Sequence, residues 1–200
     1  MTAIRRRSFE AACGLVLAAT MCSAALVAQS GWIKAGGSPG DYDMGNDPGT
    51  AFTGSSSGFI KSNKPNPQTF GTYMQTVDAS EYHGKRLQLT AYIKSDKVQN
   101  WAGLWMRVDS KICNPTAFDN MQNRPIKGTS EWTPYRIVLD VDPQAVAVAF
   151  GVLLAGPGSV WIDDVVFDVV GKDVPVTDII SQASTAQPRN LDFENGPNKR

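Results

Sequence analysis

Two tryptophans and an arginine on one face of a short run are the residues best suited to chemistry in this chain. Read with a period of two, Trp101-Ala-Gly-Leu-Trp-Met-Arg-Val-Asp109 separates into two faces. Ala102, Leu104, Met106 and Val108 form an apolar row fit for a core. Trp101, Gly103, Trp105 and Arg107 form the other. Indole faces beside a fork of N–H donors suit a sugar ring or another planar or polyhydroxyl ligand, with stacking for its C–H face and hydrogen bonds for its hydroxyls. The competing reading of the same face is a second core layer beneath a loop.

Outward positions on neighbouring segments extend this candidate binding surface: Tyr73 and Gln75, Tyr92 and Lys94, then Asn120, Gln122 and Arg124. Aromatic platforms with amides and guanidinium groups are the usual furniture of a polyhydroxyl site. Tyr92 and Lys94 also read as a plain solvated face, and Asn120 as a turn former. Trp32, Trp132 and Trp161 read as core or edge packing. Asp163-Asp164 is the most chemical-looking acidic pair, but strict alternation sends the two carboxylates to opposite faces, so they cannot act together as acid and base. His83 is the single histidine, and one Cys remains after the leader described below. A His-based zinc site or a Ser-His-Asp set therefore has no support.

The elements that must position these residues are strands. Leu87 to Lys94 alternates most clearly, with Leu87, Leu89, Ala91 and Ile93 inward. Phe70–Val77, Trp132–Val141, Val146–Leu154 and Val160–Val170 alternate in the same way. Gly36-Gly37, Pro39-Gly40, Asp47-Pro-Gly49 and Gly156-Pro-Gly158 punctuate the chain as turns. No amphipathic helix of useful length occurs in 31–170, which predicts an all-β sandwich or barrel. Residues 171–189 read as an irregular strap or linker. Asn190-Leu-Asp-Phe-Glu-Asn-Gly196 is patterned as a final strand.

Length and charge narrow the function classes. Arg5, Arg6 and Arg7 precede an apolar run over 11–28, and Ser23-Ala-Ala25 offers a cleavage site after Ala25, so residues 1–25 are predicted to be a secretory signal peptide. Arg6-Arg7-Ser8-Phe9 also fits the core of a twin-arginine signal. The leader carries three Arg and one Glu of the 19 basic and 19 acidic residues, leaving 16 against 18. That near-neutral balance does not point to nucleic acid. Cys13 and Cys22 leave with the leader, so Cys113 has no intramolecular partner. The expected product is periplasmic or extracellular, without stable membrane insertion.

Four stretches in order carry a resemblance over about residues 31–170: Gly54-Ser-Ser-Ser-Gly58, Gly84-Lys-Arg-Leu-Gln-Leu-Thr-Ala-Tyr-Ile-Lys94, Trp132-Thr-Pro-Tyr135 and Val160-Trp-Ile-Asp-Asp-Val165. They resemble galactose-binding-like jelly rolls, especially carbohydrate-binding modules of the xylan- and β-glucan-binding kind. The stretches Trp101–Val108 and Phe118–Gln122 are also similar to a bacterial subfamily without a settled role, whose members can be fused to regulatory domains. The resemblance implies a single-domain β-sandwich jelly roll that binds a glycan without catalysis. It also implies a structural Ca²⁺ held by Asp164 and Glu194 with backbone oxygens around Thr53 and Ser55. Such modules usually open with an Asn-x-x-Phe-Glu-x-Gly strand, whereas here that pattern closes the chain. This implies a circular permutation in which 190–196 completes the sandwich, the alternative being the stump of a second repeat. Two other classes stay open: a polysaccharide-active enzyme on the same fold, and a cell-envelope protein-interaction module with an apolar tryptophan patch.

Overall fold

The computed structural model describes residues 31–111 and 115–183. The expected leader over 1–25, Cys113, Glu194 and the closing strand over 190–196 lie outside the described residues.

Among the described residues, alternating apolar residues become nine strands: β1 (Ile33–Gly36), β2 (Tyr42–Asp47), β3 (Ser57–Ser62), β4 (Phe70–Asp78), β5 (Arg86–Ser110), β6 (Ala117–Asp119), β7 (Ile126–Asp140), β8 (Ala145–Ala155) and β9 (Ser159–Val170). A short helix, α1 (Ile179–Ala183), follows. The path through hydrogen-bonded neighbours runs β1-β4-β8-β5-β9-β3-β2, with β6 and β7 also on β5. The fold is an all-β jelly-roll sandwich. No helix among the described residues is long and apolar enough to cross a membrane.

The sequence reads Leu87–Lys94 and the tryptophan stretch as two strands. They are one, β5, 25 residues long. Its first half pairs with β9 and β7, its second with β8 and β6. Between the halves the inward parity changes. Leu87, Leu89, Ala91, Ile93 and Ser95 are fully buried at odd positions, whereas Val98, Ala102, Leu104, Met106 and Val108 are buried at even ones. The change sits at Lys97, whose φ of 50° is left-handed, with register shifts against β7 on both sides of Val98. A bulge bends a strand and re-aims its side chains. Here it lets one strand serve two layers and face the shared core with both halves.

The Gly156–Gly158 turn seats this bend. Gln99 N–H donates to the Pro157 carbonyl at 3.0 Å. A Cβ on Gly158 would lie 2.7 Å from Val98 Cα, so only glycine fits there. The core between the layers comprises Ile60, Leu87, Leu89, Ile93, Leu104, Met106, Ile137, Leu139 and their neighbours. Each such side chain contributes about 1.5–3 kcal/mol of burial free energy.

The stretch after β9 is a docked strap over 171–183. Thr177 N–H donates to the Val138 carbonyl at 2.8 Å, and Val138 N–H to Thr177 Oγ1 at 3.0 Å. Arg86 Nη1 donates to the carbonyls of Lys172 and Val174. Its Nε and Nη2 each reach Asp140 at 2.9 Å, and Lys172 Nζ joins the same carboxylate at 2.8 Å. Arg86, with help from Lys172, holds the Asp140 carboxyl at about 2, below its ordinary 3.8.

A carboxyl depressed on folding stabilises the fold above its unfolded value and loses that contribution as pH falls through the folded value. The melting-temperature difference between wild type and Asp140→Asn is therefore expected to be constant above pH 3.8 and to shrink between 3.8 and about 2. Thermal melts across acid pH measure it, and a difference that stays flat over that window would refute the linkage.

Candidate functional site

Directly opposed residues on antiparallel strands share a face, so the registers of β5, β8, β4 and β1 define the site row by row. Trp101 lies opposite Ala155, and Ala155 opposite Phe70. Gly103, Leu153, Thr72 and Ala35 make the next row. Trp105, Gly151, Met74 and Ile33 make the third, and Arg107, Ala149 and Thr76 the fourth. Phe118 of β6 pairs with Arg107 on the other side of β5. Small residues on β8 alternate with bulky ones on β4 and β5, which leaves a depression on the outer face of this layer. The result is a pocket of about 390 Å³ lined by Trp101, Trp105, Arg107, Phe118, Asn120 and Met74, with Phe70, Thr72, Leu153, Ala35 and Gly36 completing its walls.

The two tryptophans differ in role. Trp105 is 7% exposed and forms a second apolar cluster with Ala149 and Leu153, against which Met74, Trp101 and Phe118 pack. Its Nε1–H donates to Thr72 Oγ1 at 2.7 Å, and that hydroxyl donates to the Val152 carbonyl at 2.8 Å. The indole is thereby locked in plane as the pocket floor. Trp101 is half-buried at the rim and keeps part of its ring open. The second-core-layer reading thus describes Trp105, while Trp101 packs against that cluster and keeps an open edge.

Arg107 is the charged residue among those lining the pocket, with 40% of its side chain exposed. Its Nη2 donates to Asp109 Oδ2 at 2.9 Å and its Nε to the same oxygen at 3.1 Å, an orientation set two residues along the same face. Asn120 follows β6 in a turn whose carbonyl lies over Gly103. A Cβ there would sit 2.6 Å from that oxygen, so Gly103 is what lets the turn close against the strand. Gln122 sits outside, exposed, beside Trp101, Asn100, Pro125 and Lys127 in a shallow depression of about 270 Å³.

Four other expected site residues lie elsewhere. Tyr73 and Gln75 are on the opposite side of β4, facing between the layers. Tyr73 is 6% exposed, stacks on Trp32 at 5.1 Å and donates its hydroxyl to Asn46 Oδ1 at 3.1 Å. The alternation of β4 is read correctly from the sequence, but the wrong half of it is assigned outward: Phe70, Thr72 and Met74 share the tryptophan face. Gly151 lets β4 and β8 approach closely there, because a Cβ on it would lie 2.3 Å from the Tyr73 carbonyl. Tyr92 belongs to the first half of β5 and stacks on Phe52, with centroids 3.8 Å apart, on the outer face of the other layer. Arg124 grips the fully buried Asp119 through Nη2 at 2.6 Å and Nη1 at 3.1 Å, and so acts as a structural partner.

The Asp163–Asp164 pair departs from strict alternation. Asp164 has a φ of 53°, and two residues of β9, Asp164 and Val165, oppose the single Ala91 of β5 between the pairs Thr90–Val166 and Tyr92–Asp163, a bulge. Both carboxylates consequently meet one loop. Asp163 Oδ2 accepts N–H bonds from Phe52 at 2.8 Å and Thr53 at 3.1 Å, and Asp164 Oδ1 accepts from the Thr53 hydroxyl at 3.3 Å. Asp164 thus meets the Thr53 hydroxyl, while Asp163 is engaged by amides. Ser55 is exposed in the same loop. Among the described residues no group of three or more His, Cys, Asp and Glu side chains is placed to hold a metal.

No family model matches the chain. It is 45% identical over 166 residues to YbfP of Bacillus subtilis (strain 168), an uncharacterised HTH-type transcriptional regulator, a match covering 82% of this chain. The chain spans 56% of that relative's length. Among solved structures it is similar to the CBM22-1 xylan-binding domain of Paenibacillus barcinonensis Xyn10C (TM-score 0.51, 11% identity, 70% of this chain and 86% of that one). It is similar to the C-terminal family 22 carbohydrate-binding module of Clostridium thermocellum Xyn10B (0.50, 13%, 73% and 89%). It is also similar to the enzymatically active domain of tailspike protein 4 of bacteriophage CBA120 (0.54, 17%, 70% and 20%). At these identities the likeness is one of fold: the chain has the jelly-roll architecture of carbohydrate-binding modules.

Proposed function

We propose that this chain is a non-catalytic carbohydrate-binding module whose ligand lies in the Trp101–Phe118 pocket. The observation that carries the reading is the pairing of a partly open indole with Arg107 and Asn120 above an immobilised apolar floor. A sugar ring presents a C–H face and a hydroxyl edge, and the pocket offers a surface for each. Glycosidic hydrolysis with two carboxyl groups needs them on either side of the bond, and no carboxylate stands among the described residues that line the pocket. The similarity of fold to two modules named as xylan-binding or carbohydrate-binding supports the ligand class.

The test is titration and insoluble-polysaccharide pull-down against xylan and β-glucan. Trp101→Ala is expected to weaken binding about tenfold or more, equivalent to about 1.4 kcal/mol, with an unchanged melting temperature. Trp105→Ala removes a buried ring and is expected to cost about 3–5 kcal/mol of stability, so it reports on packing instead. Wild-type protein that retains no glycan would sink the reading.

A second reading of the same pocket is favoured by the regulator relative: an effector-sensing portion that holds a small saccharide. A helix-turn-helix needs two helices of useful length, and α1 with five residues is the α-helix among the described residues. The matched portion of the relative would then be its β-sandwich, with the DNA-reading helices elsewhere in its chain. The two readings differ in the fate of the leader. Export predicts an intact mass short of residues 1–25 in protein recovered from its natural host, and the sensing reading predicts that they are retained.

Calcium enters as a further part of the proposal, at Asp164 and Glu194 with oxygens around Thr53 and Ser55. EDTA should lower the melting temperature by several degrees and added Ca²⁺ restore it, with Asp164→Ala insensitive to both. An EDTA-indifferent wild type removes the metal from the account.

A further inference from the structure

The wall of the pocket rests on a residue outside it. Phe118 and Asn120 line the pocket, and both hang on β6, an edge strand of three residues tied to β5 by the pairs Met106–Asp119, Arg107–Phe118 and Val108–Ala117. So short an edge needs further support. Support comes from the strap: Phe118 N–H donates to Asp178 Oδ1 at 3.0 Å across 60 residues of sequence. The same Oδ1 accepts Ile180 N–H at 3.0 Å, and Oδ2 accepts Ser181 N–H at 3.2 Å. Asp178 is 8% exposed, and its one carboxylate bonds two elements at once: the first turn of α1 and the back of the pocket wall. Bonds to an ionised acceptor are roughly twice as strong as neutral ones, and strongest where water is excluded.

We propose that Asp178 is a positioning residue for the Trp101–Phe118 pocket, coupling its occupancy to the order of α1 and the strap. The proposal rests on the carbohydrate reading for its ligand and on the hydrogen bonds above for its wiring. Freeing Phe118 N–H loosens β6. That loosens the Phe118 ring against the Trp105–Leu153 cluster and the Asn120 turn over Gly103. The strap has its own anchor at Thr177–Val138, so loss of Asp178 uncouples it from the pocket without detaching it. Coupling is reciprocal: a ligand that immobilises Phe118 and Asn120 also tightens α1, although no strap residue lines the pocket.

The experiment is amide hydrogen exchange on the full chain, free and with xylohexaose, for wild type, Asp178→Ala and the milder Asp178→Asn. Wild type should gain protection over 117–120 and over 179–183 together. Asp178→Ala should lose the second gain, bind xylohexaose about tenfold more weakly, and leave exchange over 145–155 unchanged. Asp178→Asn, with one acceptor oxygen retained, should fall between, and it carries the comparison if the alanine variant does not fold. A residue that only caps α1 would fray 179–183 and leave affinity alone. Wild-type affinity in a folded variant, or protection at 117–120 with none at 179–183, overturns the proposal. If wild type does not bind xylohexaose, the ligand reading fails for this probe and the wiring is read without ligand. Faster exchange over 103–107 and 117–120 in the variant then supports it, and unchanged exchange overturns it.

Discussion

The bulge at Lys97 is the constraint on which the rest of this structure depends. A strand that kept its parity from Arg86 to Ser110 would turn either its first or its second half outward. In the first case Leu87, Leu89 and Ile93 would face water. In the second the two tryptophans would enter the core and Leu104 and Met106 would leave it. One left-handed residue resolves the conflict. It bends β5 between layers and keeps the apolar row of each half inside, which leaves Trp101, Trp105 and Arg107 free to face out. The Gly158 turn exists at that place because the bend leaves no room for a side chain.

Having placed the tryptophans outside, the fold treats them as a hydrophobic problem of its own. A ring the size of Trp105 on an outer face is unfavourable unless covered, and the cover comes from Leu153, Met74 and Phe118 with a hydroxyl from Thr72 for the indole N–H. The pocket is what this cover does not fill. Its floor is rigid because it is packed, and its rim is accessible because β6 and the Asn120 turn are short. Site and secondary core are thus one construction, with the strap bracing its outer wall through Asp178.

Much of the fold was legible in the sequence, because alternation records which residues meet the core and turn residues record where strands stop. Leu87, Leu89 and Ile93, Ile137 and Leu139, and Val148, Phe150, Val152 and Leu154 are buried as their spacing requires. That Trp101, Trp105, Arg107 and Asn120 face one side, where they line a single pocket, was legible for the same reason. The choice between Tyr73 and Thr72 was not. Both halves of β4 carry apolar and polar residues, and alternation fixes which residues share a face without saying which way that face looks. Phe118 is not legible as a site residue, because a three-residue strand has too few positions to show a period.

What the sequence by itself determined is the inventory: an all-β chain, the indole and guanidinium face, and the glycines and prolines that punctuate its turns. What only the tertiary structure decided is convergence. Arg124 turned to Asp119 instead of the pocket, Tyr92 stacked on Phe52 in the other layer, and a bulge at Asp164 brought two neighbouring carboxylates to one loop. The reason is physical. A side chain's direction follows from its own strand's period, but its partners are chosen by register, bulges and crossovers, and these are settled by packing between segments 30 to 110 residues apart in sequence.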